Sequence, residues 1–290
     1  MKRIILYDTD DAQRTMIGVT LSSWGFDVAT VRNDDELMDA YAAQPSFLIV
    51  SCADERVRLQ KLLKRIAVNG SQPCAVIYCP QEYMSELPEL FRLGVCNFIC
   101  MPIELHRLRF VCNKTFKTVA ALESKTKENE FLLAEERTFA VPDDLARLIS
   151  LVRHMTYALP ARIDGQHIFR YCVHNLLENA LLYGALGLTS AQIMTAYESD
   201  TLAQLIDRAR ASGKRKPVTA RYVLGNDAVC ITIADNGPGF DWRAMFTAID
   251  RGDDAAGGHS IALARSYFDE FRYNEPGNEV TAVKKLKNVQ

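Results

Sequence analysis

Asp235-Asn236-Gly237-Pro238-Gly239-Phe240 follows directly on an apolar, strand-like run that ends at Ala234. Gly237 and Gly239 allow a tight turn and let a flat ring approach the backbone closely. Asp235, at the end of the predicted strand, offers an acceptor for an exocyclic amine. The stretch therefore predicts a nucleotide pocket. An ordinary turn after a strand stays an open alternative, because Asn-Gly and Pro-Gly are common turn dipeptides.

A second stretch supplies two amides that share one face of a predicted helix. The sequence from His174 to Gly184 is HNLLENALLYG, in which Asn175 and Asn179 are four residues apart and so lie on the same side of a helix. Mg²⁺ keeps several waters and takes few protein ligands, so one amide oxygen with phosphate oxygens suits it. We predict that both asparagines bind nucleotide and that Asn179 is the metal ligand.

A third stretch places a glycine pair before an apolar helix, in the sequence GGHSIALA from residue 257 to residue 264. The first N–H groups of a helix lack partners within the helix and bind phosphate readily. The predicted phosphate-binding residues are Gly257, Gly258, His259 and Ser260. A plain flexible loop before a helix is the alternative.

In this order, the three stretches resemble the N, G1 and G2 boxes of the ATP-binding domain shared by gyrase, Hsp90, histidine kinases and MutL. Within that superfamily they are most similar to the anti-sigma-factor serine kinases, over residues 134–290. The resemblance implies an α/β sandwich in which helices cover a mixed sheet. It also implies ATP and Mg²⁺ as cofactors, and a sigma-like factor or an antagonist protein as the partner.

The sequence departs from that family at the position of the general base. The family has a glutamate four residues before its metal-binding asparagine, whereas this chain has Asn175, and an amide cannot accept a proton near neutral pH. Glu178 is predicted to face elsewhere, because adjacent helix positions differ by about 100°. Ser260 and Ala262 replace glycines of the third box. Binding of Mg-ATP is therefore better supported than phosphate transfer, and no catalytic residue is assigned.

The first part of the chain, to about residue 116, alternates strand-like and helix-like segments. This alternation predicts a doubly wound parallel sheet of five strands. The predicted strands are Ile4–Tyr7, Asp27–Val31, Phe47–Val50, Ala75–Tyr78 and Asn97–Cys100. The pattern resembles the receiver domain of response regulators, whose functional face lies at the carboxyl ends of the strands.

The residues at those strand ends depart from the receiver pattern. Asp8 matches the first acidic residue, but Thr9 stands where the second is expected, and Ser51 replaces the aspartate that accepts the phosphoryl group. Cys79 and Met101 occupy the positions of the usual threonine or serine and of the lysine. Aspartyl phosphorylation needs a carboxylate nucleophile, acids that hold Mg²⁺ and a cation. We therefore predict a degenerate receiver that is not phosphorylated at aspartate.

Residues 117–133 are predicted to form a helical linker between the receiver-like domain, 1–116, and the ATPase-like domain, 134–290. Apolar residues recur at steps of three and four from Leu105 through Leu122 to Leu133. This spacing is typical of a coiled coil that pairs two chains, and also of one amphipathic helix packed on its own domain. Both interpretations, the first of which implies a homodimer, stay open.

An insertion at residues 187–216 is longer than the family pattern expects. It has helical spacing and a basic end. We consider two roles for it, a partner surface or lid beside the nucleotide cleft, and a helix that covers the sheet edge.

Composition excludes several function classes. The 290 residues carry a net charge of -2, which gives no basic excess for nucleic-acid binding. No apolar run approaches the roughly 20 residues that cross a bilayer. The eight cysteines lack C-x-x-C spacing, as expected of reduced thiols in the cytoplasm.

These observations predict a cytosolic signalling protein that binds Mg-ATP and acts by partner switching, with phosphorylation of a serine or threonine on an antagonist as a further activity. Two alternatives remain. One is a non-enzymatic adaptor with a degenerate nucleotide site. The other is a histidine-kinase-like phosphotransfer component.

Overall fold

The computed structural model describes residues 3–51, 56–68, 73–122, 132–213, 216–251 and 258–287. The chain divides into two compact units, one that ends at Ala120 and one that begins at Ala121.

The N-terminal unit contains a parallel sheet of five strands in the order β2-β1-β3-β4-β5. This order is one of the two common doubly wound arrangements. The predicted fold of this unit is therefore confirmed. The central strands are buried along almost their whole length, as expected where helices cover both faces of a sheet. The strands are β1 Ile4–Tyr7, β2 Val28–Val31, β3 Phe47–Ser51, β4 Ala75–Cys79 and β5 Val95–Cys100.

The first two helices of this unit have side-chain caps at their N-termini. The side chain of Asp10 accepts a hydrogen bond from the N–H of Gln13, and that of Asn33 accepts one from the N–H of Glu36. Such caps satisfy N–H groups that have no partner within the helix. A 3-10 turn, Gln81–Glu86, precedes α4. The helices are α1 Asp11–Ser23, α2 Asp34–Ala43, α3 Arg56–Val68, α4 Leu87–Arg92 and α5 Leu105–Cys112, which continues through a π-helical turn, Asn113–Lys117, into α6 Thr118–Leu122.

The apolar stripe of this last helix is buried within a single chain. Leu108, Cys112, Val119 and Leu122 are at most 1% exposed. From Leu108 to Leu122 the stripe is therefore not available as the seam of a two-chain coiled coil, whereas Leu105, at its start, is 45% exposed. The predicted continuation at positions 126 and 129 lies outside the described residues, and Leu133 is 76% exposed.

The C-terminal unit has a second sheet of five strands, in the order β6-β7-β8-β10-β9. The predicted α/β organisation is confirmed, but the sheet is antiparallel at every pairing rather than mixed. Two of these pairings, β7 with β8 through the turn from Gly225 to Asp227 and β9 with β10, are hairpins, which join antiparallel strands. The strands are β6 Glu135–Ala140, β7 Val218–Leu224, β8 Ala228–Asp235, β9 Glu270–Tyr273 and β10 Glu279–Lys285.

Alternate residues of β7 are buried and exposed, so one face of this sheet carries the core. Within 187–213 and 216, the described part of the predicted insertion, the structure has two helices, α9 and α10. The first helix of this unit begins with Asp144 as its cap. The helices are α7 Leu145–Met155, α8 Gln166–Asn179, which continues into a π-helical turn, Ala180–Ala185, α9 Ser190–Glu198, α10 Leu202–Ala211, α11 Trp242–Asp250 and α12 His259–Tyr267.

Candidate functional site

The second and third sequence stretches meet in the C-terminal unit. The side-chain amide of Asn179, at the last position of α8, donates a hydrogen bond of 3.1 Å to the hydroxyl of Ser260 in the first turn of α12. These residues are 81 positions apart in the chain. The predicted metal ligand therefore lies beside the predicted phosphate-binding helix end.

The first stretch, which begins at Asp235, lies against the turn that follows α8, and glycines at 184 and 237 allow this close contact. The carboxyl group of Asp235, at the end of β8, lies so close to Gly184 that a Cβ atom on Gly184 would stand 2.5 Å from the Oδ2 atom of Asp235. A Cβ on Gly237 would lie 2.5 Å from the carbonyl oxygen of Gly184. Gly184 belongs to the π-helical turn after α8, a type of turn that is frequent at functional sites. We call Gly184, Asp235 and Gly237 the carboxylate cradle.

Two contacts orient the carboxyl group and the turn that follows it. The Oδ1 atom of Asp235 accepts a hydrogen bond of 2.7 Å from the N–H of Gly237. The side-chain amide of Asn278 donates to the carbonyl oxygen of Gly237 at 3.2 Å. Gly239 has φ of +76°, a conformation that favours glycine. Asn278 was not predicted from sequence, because its role depends on a pairing across the sheet.

Burial raises the pKa of Asp235 above that of an ordinary aspartate. Desolvation disfavours the charged form, and it outweighs the opposing effects of the Gly237 N–H and the positive charge of Lys216. The carboxyl group is half-buried. It is thus accessible to a ligand and sensitive to protonation.

The N-terminus of α12 has features of an anion site. Gly258 is the cap residue and provides no side-chain hydrogen bond to the first N–H groups of the helix, which favours an anionic ligand there. Ser260 and Ala262, where the family has glycine, lie within α12, and among the described residues the only non-glycine residue with positive φ is Asp200. Their side chains are therefore compatible with this backbone. His259 is half-exposed at the helix start, and Gly257 lies outside the described residues.

A further helix packs beside the start of α12. Residues 242–250 form α11, and a Cβ on Gly258 would lie 2.7 Å from the sulfur of Met245, so α11 packs against the start of α12. Arg243 is bound to Glu275 at 2.8 Å and lies over the ring of Trp242. The aspartates and glycines of 252–257 lie outside the described residues.

Neither residue near the general-base position suits that role. Asn175 is 2% exposed, and its Oδ1 atom has no hydrogen-bond partner among the described residues. Glu178 is 4% exposed and accepts a hydrogen bond of 2.8 Å from the hydroxyl of Tyr197 in α9. Burial, and then the Glu178 carboxylate, raises the pKa of Tyr197. This contact, which was not predicted from sequence, attaches the inserted helix to α8.

The receiver-like unit closes its own acidic pocket. Asp8 is 1% exposed, and its carboxylate accepts hydrogen bonds from the hydroxyl of Tyr78, the side-chain amide of Gln13 at 3.0 Å and the N–H of Asp10 at 2.9 Å. Burial, and then the Asp8 carboxylate, raises the pKa of Tyr78. Tyr78 was not identified from sequence.

The other predicted positions of the degenerate receiver site lie as follows. Ser51 ends β3, Cys79 ends β4 and is fully buried, and Met101 follows β5. Thr9 is exposed. Within the described part of the chain, no group of three His, Cys, Asp or Glu side chains could hold a metal ion.

The fold and these sites define a two-unit protein, with a receiver-like unit that has a closed acidic pocket and an α/β unit that has a carboxylate cradle beside an open helix end. Residues 200–284 match the family model of the histidine kinase-like ATPase domain. This region of the second unit is thus similar to that domain, and the first unit has a doubly wound parallel fold.

Solved structures similar to this chain include a response regulator receiver domain protein from Clostridium thermocellum, with 15% identity, a TM-score of 0.38, and coverage of 42% of this chain and 100% of that one. Full-length FixJ from B. japonicum is 18% identical, with a TM-score of 0.38 and coverage of 74% and 89%. The receiver domain of NtrX from Brucella abortus is 20% identical, with a TM-score of 0.36 and coverage of 40% and 98%. A comparison with curated proteins found no match. Among the described residues, no helix has the length and apolar character needed to span a membrane.

Proposed function

We propose that the C-terminal unit binds Mg-ATP between the carboxylate cradle and the start of α12. The observation that supports this most directly is the hydrogen bond between Asn179 and Ser260, because it brings a potential metal ligand to a helix end suited to phosphate. Asp235, which is held against Gly184 and Gly237, is proposed to accept the exocyclic amine of adenine.

Each predicted residue has a role in this proposal. Asn179 provides an amide oxygen for Mg²⁺, and Asn175 lines the same helix face. His259, Ser260 and the glycine pair before them face the phosphates, and Gly239 keeps the turn after Asp235 open. When bound, Mg-ATP supplies a transferable phosphoryl group. The residues of the chain bind and orient it.

Phosphate transfer has weaker support than binding. A serine or threonine kinase needs a base for the attacking hydroxyl, but Asn175 is an amide and Glu178 is engaged by Tyr197 inside the protein. We therefore propose that nucleotide binding, rather than rapid turnover, is the main event. Phosphorylation of a serine or threonine on an antagonist protein is a slow secondary activity.

The chain is proposed to be a cytoplasmic regulator that acts by partner switching. No residue of α11 is fully buried, although the helix packs against Gly258 at the start of α12. A nucleotide at this position would alter how α11 packs, and thereby which protein, a sigma-like factor or an antagonist, binds. The receiver-like unit, in which the hydroxyl of Tyr78 is hydrogen-bonded to the carboxylate of Asp8, is proposed not to be phosphorylated at aspartate.

Titration calorimetry with Mg-ATP tests the binding proposal. The parent protein should release or absorb heat on binding, and Asp235→Asn should weaken binding by about tenfold or more, as expected for a lost charged hydrogen bond. Asp227→Asn is the matched control, since Asp227 precedes β8 and Asp235 ends it, and it should bind like the parent. No binding by the parent protein would contradict the proposal and support a non-enzymatic adaptor.

A second experiment tests what becomes of the phosphate. The protein is incubated with γ-labelled Mg-ATP and candidate antagonist proteins. Slow, acid-stable labelling of an antagonist would support the serine kinase activity. Acid-labile phosphohistidine would instead support a histidine-kinase-like phosphotransfer component. Partner switching requires that the affinity for a partner differs between ATP-bound and nucleotide-free protein, and equal affinities would contradict it.

A further inference from the structure

Two cysteines meet at the amino-terminal ends of β4 and β5 in the receiver-like unit. Cys74 immediately precedes β4, and Cys96 is the second residue of β5. The pairing of these strands shifts between Ala75 and Val76, whose partners are Val95 and Asn97. Cys96 is the residue passed over by this shift. A bulged residue is re-aimed relative to a regular ladder, and here its side chain lies beside that of Cys74.

The thiols form a short hydrogen-bonded chain. The Sγ atom of Cys74 donates to the Sγ atom of Cys96 at 3.4 Å, and the Sγ atom of Cys96 donates to the carbonyl oxygen of Gly94 at 3.6 Å. The S–S bond of a disulfide is about 2.05 Å long. The sulfur atoms therefore need to approach by only about 1.4 Å, a distance that side-chain rotation can supply.

The backbone around the pair is fixed. The N–H of Ala75 donates to the carbonyl oxygen of Gly94 at 3.0 Å. Gly94 has φ of +104°, and a Cβ on it would collide with Pro73. The hydrogen bond holds the two strand ends together, and the close contact between Gly94 and Pro73 sets their spacing. The thiols are therefore held together by the fold rather than by chance rotamers.

We propose that Cys74 and Cys96 are a redox-sensitive dithiol that closes to a disulfide on exposure to hydrogen peroxide. Cys74, 7% exposed against 3% for Cys96, is the residue oxidised first. Its thiol gives up a proton, the thiolate attacks one peroxide oxygen and the O–O bond breaks. The hydroxide that leaves takes up that proton, so that a sulfenic acid and water result. The Cys96 thiol then attacks the sulfenic sulfur, an S–S bond forms and a second water leaves. In total, two thiols are oxidised, and one peroxide is reduced to two waters.

The disulfide would join neighbouring strands and close a loop across a separation of 22 residues that includes β4 and α4. A cross-link of this kind restricts the unfolded chain and holds the strand ends in one arrangement. It would give the receiver-like unit a chemical input at the sheet end opposite to Asp8. This proposal is independent of nucleotide binding.

The test treats the full-length protein, folded and without denaturant, with hydrogen peroxide. The protein is then blocked with a thiol-alkylating reagent, digested and analysed by mass spectrometry. We expect a loss of about 2 Da, as for two hydrogens, a linked pair of peptides that contain Cys74 and Cys96, and reversal by dithiothreitol. Cys74→Ser and Cys96→Ala should each abolish the linked pair. Circular dichroism should confirm that at least one of them remains folded.

Cys112→Ser is the matched control, because Cys112 is fully buried and its pKa is raised to about 12 by burial. This variant should form the Cys74–Cys96 link like the parent. Two results would overturn the proposal. One is that both thiols remain alkylatable after peroxide treatment. The other is a link between different cysteines, such as the strand partners Cys79 and Cys100, with Cys74 and Cys96 unlinked.

Discussion

The hydroxyl of Tyr78 donates a hydrogen bond to the carboxylate of Asp8, although the two residues are 70 positions apart. Asp8 is the acidic residue that the receiver pattern retains, and Tyr78 occupies the space beside it from the neighbouring part of the sheet. The predicted absence of aspartyl phosphorylation therefore has a further proposed cause besides the departures at Thr9, Ser51, Cys79 and Met101. The remaining acid is engaged by groups of the protein itself.

Restoring the missing aspartate alone should not restore phosphorylation. Ser51→Asp replaces the residue at the end of β3, but Asp8 would still be held by Tyr78 and Gln13 and so would be a poor ligand for Mg²⁺. Incubation with acetyl phosphate and Mg²⁺, followed by intact-mass measurement, should show no added phosphoryl group. The double variant Ser51→Asp with Tyr78→Phe tests whether the Tyr78 hydroxyl is the group that keeps Asp8 from binding Mg²⁺. Labelling of the single variant would show that Tyr78 does not close the pocket.

Nucleotide affinity should depend on pH through Asp235. Because burial raises the pKa of this carboxyl group, it takes up a proton at a higher pH than an ordinary aspartate and then loses the charge that favours an amine donor. Affinity for Mg-ATP should thus be full above the raised pKa and fall as the pH decreases through it. The free energy of unfolding has the opposite sign, since the folded state binds this proton more tightly and gains stability as the pH decreases.

The two opposite trends can be measured together, by calorimetry for binding and by urea titration for stability. Asp235→Asn should remove the Asp235 contribution to both. A binding profile unchanged by that substitution would assign the pH dependence to another group.

Gly184 should tolerate no side chain. A Cβ at this position would lie 2.5 Å from the Asp235 carboxylate, so Gly184→Ala must displace either the acid or the π-helical turn. We expect a loss of about 1–3 kcal/mol in the free energy of unfolding, as for other overpacked sites, and weaker binding of Mg-ATP. Gly225→Ala is the control, because the nearest atom to its Cβ is 3.8 Å away. Equal stability of the two variants would contradict the cradle geometry.

Arg137 should contribute to the stability of the C-terminal unit by capping α7. Its guanidinium donates to the carbonyl oxygens of His154 and Met155 at 3.1 and 2.8 Å and pairs with Glu135 at 2.9 Å. Helix carbonyls at this end lack partners and favour a cation. Arg137→Ala should lower the free energy of unfolding by about 2 kcal/mol. Arg137→Lys should recover part of this stability, because lysine keeps the positive charge but not the planar guanidinium that donates to two carbonyl oxygens at once.

Chemical denaturation followed by circular dichroism measures the effect. Arg221→Ala is the matched control from the next strand, where Arg221 forms an exposed ion pair with Glu136. Exposed pairs contribute little, so this change should stay within measurement error. If both arginines had equal effects, the cap would not be the source of the stability.

The strands of the N-terminal unit could be predicted closely because they are short, continuous apolar runs. The predicted Ile4–Tyr7 strand has the observed bounds, and Phe47–Val50 differs from the observed strand by one residue. The short motifs also identified Asn179, Asp235 and Ser260 as site candidates. In the structure, Asn179 at the end of α8 contacts Ser260, and Asp235 lies against the turn that follows α8. These residues occur in compact motifs with a chemical reason for each residue type.

The contacts missed from sequence join distant parts of the chain. Tyr78 has the apolar context of a core residue, and only the fold shows that its hydroxyl reaches Asp8. Glu178 was expected to face elsewhere than the two asparagines, but its partner was missed, because the packing of α9 on α8 through Tyr197 could not be inferred from helix spacing. Helix α11 was also not predicted from sequence; it is capped by Asp241 and packs half-buried apolar side chains on Gly258.

The burial of Val119 and Leu122, both 1% exposed, determines where the chain can be cut. A fragment that stops at residue 116 would lack the last turns of the helix that carries Phe116, whose ring stacks on Phe47 at 4.7 Å. Its helix would end at a buried side chain, and fraying from that end would reach the core directly. An isolated fragment of the first unit should therefore extend past residue 116 to Ala120, where that unit ends.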